Sequence, residues 1–252
     1  MQAYGAGFAR LYNLRWAGFA RQVAPGLHTF YTRTPLGQTE RSLLDLGCGT
    51  GQLARYFLEH GFRVTGVDLS AAMLEYAREN CADYIADGHA RFERGDMTRF
   101  SVADHFGLVT ATFDALNHLA DLDALRQCFR AVFPMLLDEG KFIFDLNTRV
   151  GLQRWNNISV EESDDTFVVT RGVYDGRGDR AWTRISGFVR RGRDAYERVE
   201  ETAYNTVFDL AEVRQALLEA GWASAYCARF PDLETPLDDP EHEGRVFVIA
   251  HK

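Results

Sequence analysis

Lysine is nearly missing from this 252-residue chain, standing only at positions 141 and 252, and acids outnumber Lys plus Arg by 36 to 28. The net charge of −8 argues against a nucleic-acid substrate, because phosphate backbones reward a basic face. Cysteine is scarce too. Cys48, Cys81, Cys128 and Cys227 are scattered without metal-ligand spacing, so no metal site is expected. They read as reduced, structural residues of a reducing compartment. No apolar run approaches the length of a membrane span. The segment Met1–Gly7 lacks the charged start and apolar core of a signal peptide. Repeats and low-complexity stretches are also missing. These absences lead us to expect a soluble, cytoplasmic protein that meets neither membrane nor nucleic acid.

What is present is globular. Apolar residues make up 46% and aromatics 13%, ample for one large domain with a buried core. The most informative stretch is Leu43-Leu44-Asp45-Leu46-Gly47-Cys48-Gly49-Thr50-Gly51. An apolar run enters it, three glycines leave it, and Gln52–Leu58 continues at helical spacing, which predicts a buried strand turning sharply into a helix. Glycines let backbone N–H groups approach a ligand beside the positive end of that helix. Asp68 ends the next apolar run, about 20 residues beyond Gly47, where a carboxylate can accept hydrogen bonds from a ribose diol. The spacing is G-x-G-x-G rather than the dinucleotide G-x-G-x-x-G, and no Gly-Lys-Ser/Thr follows, which excludes a P-loop hydrolase.

Leu43–Gly51 and Gly66-Val67-Asp68-Leu69-Ser70 resemble motif I and its partner acid in the class I S-adenosylmethionine-dependent methyltransferases. Arg94-Gly95-Asp96-Met97 resembles the family's adenine-reading segment, Phe106–Phe113 its fourth strand, and Leu136–Asp145 its turn into strand five. The resemblance implies an α/β fold with a Rossmann-like, mostly parallel seven-stranded sheet and helices on both faces. It also implies S-adenosylmethionine as cofactor. Gly47, Cys48, Gly49 and Gly51 would shape the cofactor turn, Asp45 hold the amino-acid end, Asp68 the ribose, and Asp96 with Met97 the adenine. Leu69, Met73, Phe113 and Asn117 complete the implied set.

Residues 1–35 look helical, with Tyr4, Phe8, Tyr12, Trp16 and Phe19 in one stripe. Such a stripe packs on its own domain or, as in relatives, forms a lid over the cofactor. Tyr12 and Trp16 are placed against the ligand because π-faces favour a sulfonium cation. From 40 to 146, strands are expected near 43–46, 63–67, 90–93, 107–113 and 141–146, and helices near 51–60, 70–80 and 121–135. That alternation implies a parallel sheet. After Asn147 three antiparallel strands are expected, at 167–174, 181–190 and 196–208, followed by a helix capped by Asp209. Strands at 223–230 and 245–250 would close the sheet around a solvated loop at 232–243. The 158–208 insert resembles the acceptor-site cover of small-molecule N-methyltransferases acting on glycine or amino sugars. It holds eight arginines between 171 and 198 against four acids, which reads as a solvated sheet or as a patch for an anionic small-molecule acceptor.

Methyl transfer needs alignment and exclusion of water more than a triad. A neutral amine needs only to be unprotonated, whereas a hydroxyl or an acidic carbon needs a base. His118, just past strand four, is the candidate base or a loop-completing histidine, and Tyr12 could orient an amine. Asp114-Ala115-Leu116-Asn117 lacks the two prolines of enzymes that methylate base amines. Asp145 and Asn147 are too few oxygen ligands for metal-assisted O-methylation. The function expected is methyl transfer to a small-molecule amine, with an O- or C-acceptor, or a silent S-adenosylmethionine-binding scaffold, as alternatives.

Overall fold

A computed structural model describes residues 4–252. Met1–Ala3 of the expected N-terminal lid therefore lie outside the described residues. Helices α1 (Ala6–Arg15), α2 (Ala17–Arg33) and α3 (Pro35–Thr39) precede β1 (Ser42–Leu46). Then α4 (Gln52–Glu59), β2 (Arg63–Asp68), α5 (Ala71–Asn80), α6 (Ala82–Ala86), β3 (Ala90–Arg94) and β4 (Phe106–Ala111) alternate as expected. Next come a short 3-10 turn at Ala115–His118, α7 (Leu122–Val132), β5 (Leu136–Asn147) and α8 (Arg149–Arg154). The insert supplies β6 (Ile158–Glu162), β7 (Thr166–Val173), β8 (Arg180–Arg190) and β9 (Tyr196–Thr206). The chain finishes with α9 (Leu210–Glu219), β10 (Ser224–Arg229), β11 (Asp232–Pro236) and β12 (Arg245–His251).

The main sheet runs β11-β10-β12-β5-β4-β1-β2-β3, with β3, β2, β1, β4 and β5 parallel and β12, β10 and β11 antiparallel. It has eight strands rather than seven. The extra one is β11, within the segment expected to be a loop, where a turn after Arg229 lets Asp232–Pro236 fold back onto β10. The insert is a separate four-stranded sheet, β6-β7-β8-β9. It has four strands rather than three, because Ile158–Glu162 pairs with β7 although its residues are all exposed. Its apolar residues Ile158 and Val160 face solvent rather than a core, and so short an alternation marks no buried face.

The local rules hold elsewhere. Ser70 caps α5 by accepting from Met73 N, Asp121 caps α7 through Ala124 N, and Asp209 caps α9 through Ala211 and Glu212 N. Helix α7 buries Leu125, Cys128, Phe129 and Val132 against Phe142 and Phe144 of β5. Strand order reverses between β1 and β4, which opens a crevice at the strands' carboxyl ends. The Gly47–Gly51 turn follows one of these strands and the Phe113–Asp114 loop the other.

Candidate active site

A cavity of about 260 Å³ opens at that crevice. Its floor is the glycine turn, with Gly47 and Gly49, and the end of β2, with Val67, Asp68 and Leu69. Met73, Gly95 and Met97 form one side, and Phe113, Asp114 and His118 the other. Tyr4, Phe8, Tyr12 and Trp16 close it from the N-terminal helices, while Trp155, Thr183, Ile185, Ala203 and Asn205 close it from the insert side. A side pocket of about 20 Å³ reaches Asp45, Cys48 and Gln52 and shares Tyr12, Trp16, Gly47 and Phe113 with the main cavity.

The turn is built to keep this space open. Gly47 has φ +65°, and a Cβ there would lie 3.0 Å from Ala115 Cβ and 3.5 Å from Met97 Cε, across the cavity mouth. Gly51 does a different job. Its φ is +80°, and a Cβ would press at 3.1 Å on the Ala77 backbone, so it lets α4 pack on α5 and does not face the cavity. Gly49 N donates to Asp68 Oδ2 (2.9 Å) and Ser70 N to Asp68 Oδ1 (2.8 Å). Burial pushes the Asp68 carboxyl up, and those two N–H groups pull against it.

Asp45 is buried, with Oδ1 accepting from Thr110 Oγ1 at 3.0 Å and Oδ2 without a partner. Burial pushes its carboxyl up to about 7. An orphaned buried carboxylate oxygen beside a pocket fits a ligand ammonium. Asp96 departs from expectation. Its Oδ1 accepts from Thr98 N and Oγ1, and its neighbours Gly95 and Met97 line the cavity while Asp96 does not. Asn117 also departs. It is fully buried, donates Nδ2 to Asn147 O (3.1 Å) and Thr206 O (2.8 Å), and accepts from Asn147 N (2.9 Å). It ties β5 to β9 instead of facing the cavity. Asp145 and Asn147 are likewise committed to the protein, as are Arg184, Arg190, Arg191 and Arg198, which pair with Glu200, Asp165 and Glu197. None of the eight insert arginines lines the cavity. Burial pushes all four thiols up, Cys227 to about 11, and keeps them inert.

His118 Nδ1 lies 2.8 Å from Tyr204 O. A carbonyl only accepts, so Nδ1 carries the proton and Nε2 of the neutral ring offers its lone pair. Tyr4 Oη sits 3.1 Å from that Nε2. Burial and the nearby Asp114, Glu201 and Asp68 push the Tyr4 phenol well up, so it donates. Burial does the same to Tyr12, which makes it a neutral phenol and unsuited as a base. Phe113 and Asp114 both have positive φ, at 62° and 51°, a conformation costly for residues other than glycine. Asp145 holds it by accepting from Phe113 N (2.6 Å) and Asp114 N (3.0 Å). Arg245 bridges Asp145 and Asp114 Oδ1, the latter at 2.9 Å. Its guanidinium also lies 4.7 Å over the Phe19 ring, which stacks on Phe113 at 4.8 Å.

Sequence reasoning missed Tyr4, Asp114 and the insert's inner face as site residues. The alternation Ala181, Thr183, Ile185 against outward Trp182 and Arg184 carried a signal for the last of these. Tyr4 heads the aromatic stripe. Nothing local marks Asp114, because a left-handed aspartate is set by its distant partners.

Residues 43–140 match the family profile described as a methyltransferase domain. A protein of Geobacillus sp. (strain WCH70) assigned as a methyltransferase is 30% identical over 219 residues, covering 85% of this chain and 86% of that one. A dTDP-3-amino-3,6-dideoxy-alpha-D-glucopyranose N,N-dimethyltransferase of Streptomyces fradiae is 39% identical over 93 residues, 36% of this chain and 34% of its own. The crystal structure of a S-adenosylmethionine-dependent methyltransferase from Clostridium acetobutylicum ATCC 824 superposes with a TM-score of 0.79 at 23% identity, over 97% of both chains. Glycine turn, strand-end acid, strand order and whole-length relatives agree, and the chain belongs to the class I S-adenosylmethionine-dependent methyltransferases.

Proposed function

We propose that this methyltransferase acts on an amine of a small-molecule acceptor, with an amino sugar on a nucleotide carrier as the leading class. The observation that carries this is the charge of the acceptor side. There the cavity wall presents the carboxylate of Asp114 and the Nε2 of His118, and among the described residues no Lys or Arg lines the cavity. Such a wall suits an ammonium and repels a carboxylate or phosphate at the reacting end. The likeness to the S. fradiae amino-sugar dimethyltransferase supports the same class. An anionic portion of the acceptor would have to lie outside this cavity.

The residues fit the cofactor. Asp45 Oδ2 would take its ammonium and the Asp68 carboxylate its ribose diol. Val67, Leu69 and Met97 would pack on the adenine, and Tyr12, Trp16 and Phe113 on the sulfonium. Bound S-adenosylmethionine supplies a methyl group already activated by a positive sulfur. The chain's own part is to hold the acceptor nitrogen in line, keep its lone pair free and exclude water. His118 serves as the base, its ring oriented by Tyr204 O. Tyr12 donates a hydrogen bond that orients the acceptor. We take residues 1–35 as the lid and 158–208 as the acceptor-site cover of a single domain. The four unpaired cysteines support a cytoplasmic setting, and no helix among the described residues is long and apolar enough to cross a membrane.

The test pairs dTDP-3-amino-3,6-dideoxyglucose with its 3-hydroxy counterpart and follows S-adenosylhomocysteine release. Turnover of the amine alone is expected. His118→Ala should lower that turnover by roughly 10²–10⁴-fold, the usual worth of a positioned base, without loss of cofactor affinity. Methylation of only the hydroxyl compound would overturn the amine assignment.

A further inference from the structure

We infer that Asp114 is a second catalytic residue, the anchor that receives the acceptor as an ammonium and presents it to His118. The inference rests on the amine reading above. Asp114 Oδ2 and His118 Nε2 both border the cavity and lie 4.0 Å apart. That is too long for a direct hydrogen bond, whose N–H···O distance is about 2.7–3.2 Å. It is close to the span of two acceptors sharing one tetrahedral nitrogen. With each contact at about 2.8 Å, that span is roughly 4.0–4.6 Å. One –NH3+ group can therefore donate to both atoms at once. The gap matches the acceptor's reacting atom.

The surroundings commit Asp114 to this role. Its Oδ1 is taken by Arg245 Nη2 at 2.9 Å, which leaves Oδ2 for the cavity. Its backbone is fixed at φ 51° by the Asp145 carboxylate, which also receives Arg245. Flanking carboxylates hold the Arg245 guanidinium charged against the pull of burial. Asp145 and Arg245 are thus positioning residues that aim one carboxylate oxygen at His118. Tyr4 Oη holds Nε2 until the acceptor nitrogen takes its place.

The step balances. One N–H bond of the ammonium breaks, its proton bonds to His118 Nε2, and the electron pair stays on nitrogen as the nucleophilic lone pair. The imidazolium so formed lies beside the Asp114 carboxylate. As the new N–C bond forms, the methyl–sulfur bond of bound S-adenosylmethionine would break with its electron pair going to sulfur, S-adenosylhomocysteine would leave as the neutral thioether, and the positive charge would return to nitrogen, again facing Asp114.

Calorimetric titration of the S-adenosylhomocysteine complex, where no methyl can move, reads the anchor directly. Wild-type protein should bind dTDP-3-amino-3,6-dideoxyglucose at least tenfold more tightly than the 3-hydroxy counterpart near neutral pH. Asp114→Asn should abolish that preference while keeping affinity for S-adenosylhomocysteine. Asparagine tolerates the left-handed backbone and keeps an oxygen for Arg245. His118→Gln should retain amine binding yet lose turnover, which separates anchor from base. Native amine preference in Asp114→Asn overturns the anchor and leaves the amine reading standing. Equal binding of both sugars by the wild type, or binding of neither, overturns both, and that comparison needs no variant to fold.

Discussion

Thr110 satisfies one oxygen of Asp45, and no hydrogen-bond donor among the described residues satisfies the other. The cost of that arrangement depends on pH in a defined direction. The folded carboxyl titrates at about 7 against an ordinary 3.8, chiefly because it is buried. Well below the ordinary 3.8 both folded and unfolded chains hold the proton and no penalty arises. As pH rises toward 7 the unfolded chain ionises first, so this residue's contribution to stability is lost through that window. Above it the folded protein carries a buried charge with an empty valence. Asp45→Asn should therefore raise the melting temperature of the cofactor-free protein near pH 8.5 and raise it much less near pH 4.5. The same substitution should weaken S-adenosylmethionine binding. Thermal unfolding across pH, paired with calorimetry, checks both halves. A variant less stable at pH 8.5 would show that Asp45 is structural. Asp68 makes the contrasting case, since its two oxygens each take a backbone N–H from the turn it serves. Asp68→Ala should cost about 1–3 kcal/mol of cofactor binding as a charge-assisted partner is lost.

Between elements the decisive joint is Asn117. From the 3-10 turn after β4 it reaches the end of β5 and the end of β9 with three buried hydrogen bonds. Each buried group left unsatisfied costs about 1–3 kcal/mol, so Asn117→Ala should destabilise the fold by roughly 2–5 kcal/mol. The folded fraction should keep its cofactor affinity, because the side chain does not line the cavity. Denaturant melts with and without S-adenosylmethionine separate the two effects. A variant of native stability that loses cofactor would return Asn117 to the binding site. This joint also shows where the sequence is legible. The βα units at 42–132 were readable because buried parallel strands are short apolar runs and helices such as α5 and α7 carry the caps Ser70 and Asp121. Strand β4 ends at Ala111, short of the expected 113, because Asp145 pulls the next residues into left-handed backbone. Strand β6 escaped because all its residues are exposed, and β11 because a single buried residue, Leu233, is too little to mark a strand. Motif residues that touch the cavity through backbone or small side chains, such as Gly47 and Gly49, were legible. Asn117, whose orientation is set by long-range partners, was not, and neither was Asp96, whose carboxylate turns to its near neighbours Thr98 and Arg99.

On the scale of the whole molecule the cavity is assembled from three parts. The sheet supplies its floor, α1 with Tyr4 supplies one wall, and α8, β8 and β9 supply another. These parts pack directly on one another, with Phe8, Leu11, Met73, Ile185 and Val199 in one shared apolar cluster beside the cavity. A ligand filling the space would touch all three and stabilise their arrangement together. Mass action sets the size of the effect at about 2.7 kcal/mol when ligand stands at 100 times its Kd. For a chain of this length each kcal/mol moves Tm by about 2–4 °C. Saturating S-adenosylmethionine or S-adenosylhomocysteine should therefore raise Tm by about 5–10 °C, and NAD should not. Hydrogen exchange should slow in α1 and in β8–β9 as well as in the glycine turn. A rise in Tm with protection confined to the turn would mean that the cofactor engages the sheet alone. The helical and insert walls would then close only around the acceptor, and affinity for the amine would depend on cofactor being bound first.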